Sequence, residues 1–316
     1  MATIINLNEI KSILKNIDVI AAMEEGFVQY SNGNTVVPPV GELLFEDPKG
    51  DAHIKYGYIK NDDDYVIKIA SGFYDNVKIG IPSSQGLMLL FDQKTGVPKA
   101  VLLDEGHLTD IRTAAAGALA AKYFAPKKIK SIGIIGTGIQ AKLQLQYLQI
   151  HTPCTVVWVW GRNKENAKKF KNELGSNFNI KIAESPSELA KKCNLIVTTT
   201  PSKIALLKAE DIIKGTHITA VGSDTEHKQE LESTLLKKAD IVIADSIPQS
   251  KSRGEIYRAV FDNELSEEKV IELGTAIQNS NVQRTNDAQI TVVDLTGVAV
   301  QDIMITKAVY NGYLKK

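Results

Sequence analysis

Cysteine is scarce. Cys154 and Cys193 are the only two in 316 residues, too few for a disulfide framework, and that scarcity points to a reducing compartment. Charge of one sign is not in excess: lysine plus arginine number 37 and aspartate plus glutamate 37, for a formal net charge of zero. Without a basic surplus the chain has no broad footprint for nucleic acid or an anionic membrane. No apolar run approaches the roughly 20 residues needed to cross a bilayer. The opening MATIINLNEI has neither the basic stretch nor the apolar core of a secretory signal. Glycine (22) and proline (10) are near ordinary usage, which excludes collagen-like and low-complexity classes. A soluble, cytoplasmic protein is expected. Its 43% hydrophobic residues suffice for two cores, and at about 100 to 200 residues per domain the length fits two domains.

The middle of the chain carries the clearest periodicity. Residues 131–135 form a short β-rich apolar run, followed at once by Gly136-Thr137-Gly138-Ile139-Gln140-Ala141 and a helical stretch. Residues 155–160 read as a buried strand and 163–174 as a solvated helix. Three more apolar runs follow at 194–200, 217–223 and 240–246, each preceded by helical sequence. Buried strands alternating with helices predict an α/β fold: a Rossmann-type doubly wound parallel sheet over 121–297. Residues 1–120 read differently. One or two amphipathic helices end near Gly33, and short runs at 53–60, 64–72, 87–93 and 98–105 are punctuated by Asp, Gly and Pro, with a turn at 93–96. They predict a mainly antiparallel α+β domain. An alanine-rich helix, 107–124, leads into the parallel sheet, and a last helix, 298–316, returns to the first domain.

Gly136-x-Gly138-x-x-Ala141 follows a strand and opens a helix, the context in which such a loop binds a dinucleotide. The first glycine permits the tight turn, the second lets backbone approach a pyrophosphate, and the helix N-terminus offers N–H groups and partial positive charge. An acidic residue at the end of the next strand would select the ribose 2′-hydroxyl of NAD(H). Here stand Gly161-Arg162-Asn163-Lys164, two cations able to meet a 2′-phosphate, so NADP(H) is favoured. Three other strand ends face the expected ligand side. Thr198, Thr199 and Thr200 close one of them, and Thr296, after Asp294, closes another. Val221, Ser223 and Asp224 close the third. Asp224 reads either as a general acid/base beside the nicotinamide or as an N-cap for a helix over 225–236. In the first domain Lys55, Lys68 and Arg112 sit in apolar settings and call for an anionic partner, such as a substrate carboxylate. Lys55 and Lys68 would otherwise alternate outward to solvent. His53 and His227 lie near these segments. No His/Cys/Asp cluster has metal-ligand spacing.

The stretches LTDIRTAAAGALAAKYFAP, IGIIGTGIQA, VWGRNKENAKKF and GSDTEHKQEL together resemble the ornithine cyclodeaminase/mu-crystallin family over nearly the whole chain. The resemblance implies an N-terminal α+β domain that dimerises and holds substrate, a Rossmann domain, and NAD(P) chemistry on amino acids or cyclic imines. It implies that Lys68 and Arg112 bind the substrate carboxylate, that Thr113 and the Gly136–Ala141 loop contact the pyrophosphate, and that Asp224 is the acid/base of the cyclodeaminase branch. His53-Ile54-Lys55-Tyr56 replaces that branch's Glu-x-Met-Pro segment, and the Gly161-Arg162 segment matches the NADPH-using mu-crystallin branch. A homodimeric ammonia-lyase that removes and returns hydride at Cα, with ring closure, is expected. The alternatives are a reductase of a cyclic imine such as Δ1-pyrroline-2-carboxylate, an amino-acid dehydrogenase, or a mu-crystallin-like NADPH-binding protein.

Overall fold

The computed structural model describes residues 2–315, with Tyr74 by its backbone alone. The chain divides into two compact units, one running to Arg112 and resuming at Val298, the other Thr113–Gly297. The division falls inside a helix, ahead of the 120/121 boundary that the sequence pattern marks. A continuous helix has no compositional break where its packing partners change, so sequence places that boundary poorly.

The first unit begins β1 (Thr3–Asn6), α1 (Leu7–Leu14), α2 (Val19–Ser31), β2 (Thr35–Val36) and β3 (Gly41–Phe45). The long strands β4 (Gly50–Ile59) and β5 (Asp64–Phe73) follow, then β6 (Ser84–Asp92), β7 (Pro98–Leu103) and α3 (His107–Phe124). Asn6 caps α1 through its side chain, with Glu9 reaching back to complete a capping box, and Asp18 caps α2. The seven strands run β1-β7-β6-β5-β4-β2, with β3 also on β4. The sheet is mixed, because β1 joins β7 in parallel while β4 to β7 pair antiparallel. The sheet remains mainly antiparallel, as the pattern of short punctuated runs predicts, with β1 the one parallel addition. In β5 the alternate residues Asp64, Val66 and Lys68 are all buried, so Lys68 faces inward and not to solvent.

The second unit contains β8 (Ile132–Ile135), α4 (Ile139–Leu148), β9 (Val156–Trp160), α5 (Lys164–Leu174), β10 (Asn179–Ile182), α6 (Pro186–Lys192) and β11 (Leu195–Thr198). It continues through β12 (His217–Ala220), α7 (Ser233–Lys238), β13 (Ile241–Ala244), α8 (Gly254–Phe261), β14 (Val270–Glu272), α9 (Leu273–Gln278) and β15 (Thr291–Asp294). Its eight strands are all parallel, in the order β10-β9-β8-β11-β12-β15-β13-β14. Strand alternation builds a core on each face. Ile132, Ile134, Val157 and Val159 pack with Ala141, Leu145 and Phe170 of α4 and α5. Ile135, Ile196 and Ile218 pack with Leu189, Leu235 and Ile256 of α6, α7 and α8. Helices on both faces of a parallel sheet make this the doubly wound fold that the alternating pattern predicts. One expected element is missing: residues 225–232 are not helical, and α7 starts only at Ser233, with Glu232 at its cap position. Ser223 bonds the Lys228 carbonyl and Gln229 N–H bonds the Ser202 carbonyl, so this segment is a pinned loop.

The chain ends in α10 (Ala299–Leu314), which packs on α2, β4 and β5 of the first unit. No helix among the described residues is long and apolar enough to cross a membrane.

Candidate active site

In the second unit the chain moves from β8 outward to β9 and β10, then returns to β11 on the other side of β8. Ligands of open α/β sheets bind where strand order reverses in this way, beyond the carboxyl ends of the strands. A groove of about 300 Å³ lies there, lined by Gly136, Thr137, Gly138, Trp160 to Asn163, Asn166, Thr199 to Ser202, and Leu206. Gly136 has φ +119, and a Cβ on it would stand 2.3 Å from Thr199 Oγ1. Only glycine fits that turn. The helices around the groove differ at their starts. Asn163 caps α5 and Ser185 caps α6 through their side chains, but α4 starts at Gly138 with no side-chain cap and no acidic residue in its first turn. The leading N–H groups of α4 and its partial positive charge are thus left to an anion in the groove. A pyrophosphate fits that cradle.

Several sequence candidates meet here: Gly136, Thr137, Gly138, Arg162, Thr199 and Thr200 all line the groove. Arg162 is exposed on its wall. Lys164 is not among the lining residues, and its ammonium pairs with Glu184. Ile139 and Gln140 form the first turn of α4 but are not among the lining residues, nor are Thr113, Val221, Ser223 and Thr296. Three of these have work elsewhere. The Thr113 carbonyl accepts from Gln144 Nε2 at 3.0 Å, the Ser223 hydroxyl bonds the Lys228 carbonyl, and the Thr296 hydroxyl bonds Asp245 at 2.9 Å. Asp224 is about half exposed, and Lys228 Nζ lies 2.6 Å from its Oδ1. With no helix at 225–232, its reading as an N-cap is removed. His227 is on the surface, beside Glu226.

The first unit holds a separate charged cluster. Lys55 and Lys68 lie opposite each other on β4 and β5, with Met88 of β6 next in register, so all three share one face of the sheet. Lys68 Nζ is 3.1 Å from both carboxylate oxygens of Asp302, and Arg112 Nε is 3.2 Å from Asp302 Oδ1. Arg112 Nη1 also donates to Gln301 Oε1 at 3.0 Å. Lys68, Arg112, Gln301 and Asp302 are all buried. Burial drives the Lys68 ammonium down to about 8, with Arg112 lowering it further and Asp302 opposing. Burial works against a charged Asp302, but Lys68, Arg112 and Lys55 outweigh it and hold the carboxyl below its ordinary value. Asp104, also buried, accepts the Leu108 N–H at 2.8 Å and is raised by desolvation. The sequence reading gave these cations an external anion as partner. The structure supplies Asp302 from α10 first. Asp302 had a signal: Gln301-Asp302 is a polar pair inside an apolar run, the same irregularity that marks Arg112. His53 is half-buried between Glu42 (3.6 Å) and Asp51 (3.5 Å), in an acidic setting. Among the described residues no group of three or more His, Cys, Asp or Glu is placed to hold a metal ion.

The chain is 36% identical over 307 residues to an uncharacterized cyclodeaminase of Sinorhizobium fredii, covering 96% of this chain and 93% of that relative. An archaeal alanine dehydrogenase dimer with bound NAD superposes with a TM-score of 0.89 at 34% identity, covering 99% of this chain and 96% of that one. The Delta(1)-pyrroline-2-carboxylate reductase of Thermococcus litoralis, in complex with NADH and L-proline, superposes with a TM-score of 0.90 at 29% identity, covering 99% and 98%. The model of the ornithine cyclodeaminase/mu-crystallin family matches residues 2–316, and the chain, with its glycine turn between β8 and α4, belongs to that family.

Proposed function

We propose that the chain is an NAD(P)-dependent oxidoreductase acting at the Cα–N bond of a small amino acid or cyclic imino acid. The observation that carries this reading is Lys68, a buried ammonium brought to about 8, so that both of its protonation states are accessible near neutral pH. The Gly136–Ala141 loop would hold a nicotinamide nucleotide, which would supply or accept the hydride. Arg112, with Lys55 nearby, takes the carboxylate. Lys68 then gives a proton to the substrate nitrogen in the reductive direction and removes one in the oxidative direction. Alanine dehydrogenase and pyrroline-2-carboxylate reductase, two of the structural relatives, are both named for net hydride transfer, which supports the reading.

Incubation with NADH or NADPH, ammonium and pyruvate, or with Δ1-pyrroline-2-carboxylate, should consume the reduced nucleotide in step with product. Ammonia released from ornithine, lysine or diaminobutyrate with no net change in nucleotide would overturn it in favour of a second reading, a cyclising ammonia-lyase. The carboxylate of Asp224 favours that second reading, since proton transfer during ring closure needs a base. If it holds, Asp224→Asn should fold normally and lose at least about a hundredfold in kcat.

The nucleotide preferred is NADP(H). Arg162 on the groove wall offers a planar cation to a 2′-phosphate, and Arg162→Ala should weaken NADP(H) more than NAD(H) in calorimetric titration. Equal losses for the two nucleotides would refute it. The same reading includes a homodimer through the first unit. Its edge strand β3 exposes Leu43, Leu44 and Phe45, and Val77, Ile79 and Ile81 are exposed as well, an edge that soluble proteins ordinarily cover. The free Cys154 and Cys193 suit a cytoplasmic setting.

A further inference from the structure

Glu230 lies in the loop between β12 and α7 and is fully buried. Between them its two carboxylate oxygens serve two segments. Oε1 accepts the N–H and, at 2.7 Å, the hydroxyl of Thr200. Oε2 accepts the Thr198 hydroxyl at 2.7 Å and the Gly222 N–H at 2.8 Å. Thr200 lines the nucleotide groove, whereas Gly222 opens the loop that carries Asp224. The two segments are in direct contact, since a Cβ on Gly222 would lie 2.2 Å from the Thr200 carbonyl oxygen. Backbone bonds add to the join: Gln229 N–H donates to the carbonyl of Ser202, another groove residue, and Leu206 N–H to that of Glu230. Behind it, Glu255 accepts the N–H groups of Glu230 and Leu231 at 2.7 and 3.1 Å, fixing the backbone from which the carboxylate projects.

We propose, on the nucleotide-binding reading given above, that Glu230 is a positioning residue that couples occupancy of the groove to the conformation of the Asp224 loop. A bound nucleotide that orders Thr200 and Ser202 orders residues 222–230 through the shared carboxylate. The residue type is specific to the task. A carboxylate has two acceptor oxygens and no donor, and here each oxygen takes one backbone N–H, one from each segment. Glutamine at this position can accept only one of them and turns an NH₂ group toward the other. Burial raises the Glu230 carboxyl to about 7, and the four donors work against that rise.

The test compares the wild-type chain with Glu230→Gln by calorimetric titration of NADH and NADPH, and by amide hydrogen exchange with and without nucleotide. In the wild type, nucleotide should protect 222–230 together with 198–202, although 222–230 does not line the groove. In Glu230→Gln the affinity should fall at least about tenfold, and protection should be confined to 198–202. Protection confined to 198–202 in the wild type overturns the coupling, and that experiment decides the matter even if the variant does not fold. Wild-type affinity and joint protection in Glu230→Gln overturn it as well. A wild-type chain that binds neither nucleotide overturns the nucleotide-binding reading itself, a different outcome from either.

Discussion

Lys68→Met should lower kcat by about 10²- to 10⁴-fold, the range over which a positioned acid or base contributes, while the nucleotide still binds. Lys68 is not among the residues that line the groove, so the nucleotide contacts remain. In the wild type, the reductive rate should fall as pH rises through about 8 and the oxidative rate should rise over the same window, because the two directions need opposite forms of a group brought to about 8. The stability effect has its own sign. The fold lowers Lys68 from 10.5 to about 8, so it prefers the neutral amine. That contribution is fully present above the unfolded value and is lost as pH falls through the folded one. The difference is about 3 kcal/mol, carried at neutral pH to keep a cation inside the first unit. Steady-state kinetics across pH, with calorimetry for nucleotide binding, checks the prediction. Near-wild-type kcat in the variant would remove Lys68 from the chemistry.

Gly136→Ala should abolish nucleotide binding, with a loss of about 10²-fold or more in affinity. Two penalties act together. A side chain at φ +119 is strained, at about 1 to 3 kcal/mol, and its Cβ would press within 2.3 Å of the Thr199 hydroxyl and 3.2 Å of the Thr199 carbonyl. Because Thr199 N–H and hydroxyl both bond the Ile135 carbonyl, it cannot retreat without opening the end of β8. The unfolding midpoint should drop by roughly 2 to 10 °C as well. Gly138→Ala is the control. Gly138 has φ −81 and open space where a Cβ would lie, so that variant should keep its stability and act only on the approach of a ligand. Equal destabilisation by the two changes would mean that the turn is not the strained element.

Legibility from sequence followed the range of the interactions. The helix 107–124 was readable to the residue because alanine-rich composition and flanking breakers are local, and the glycine turn because its strand and helix are adjacent in the chain. The parallel sheet followed from alternation alone. The edge strands β1, β3, β10 and β14 were not legible, since they are only partly buried and lack the continuously buried apolar run that marks the equally short β8, β11, β12 and β13. Residues 225–232 have helix-compatible composition, yet their backbone bonds go to Ser202, Leu206 and Leu207 and to the Glu255 side chain of α8, a tertiary override that no propensity reports. Asp302 and Glu230 were missed for a related reason. Asp302 meets Lys68 across 234 residues of chain and Glu230 meets Thr200 across 30, so neither pairing is written locally, although Asp302 itself interrupts an apolar run. Arg112 was found because an isolated charge in an alanine helix demands explanation.

The two tryptophans of the chain, Trp158 and Trp160, stand on alternate positions of β9 and both pack toward the same core. Trp160 also forms part of the groove wall, and Lys181 Nζ sits 5.4 Å from the Trp158 ring centre. All of the indole emission of this protein therefore originates on one strand, at the proposed nucleotide contact. Reduced nicotinamide absorbs in the band where indole emits, and the oxidised form does not. The unlabelled chain is thus built as an optical reporter of its own groove: energy transfer from Trp160 would dim the emission when a reduced nucleotide is seated, and the emission would brighten again as hydride leaves.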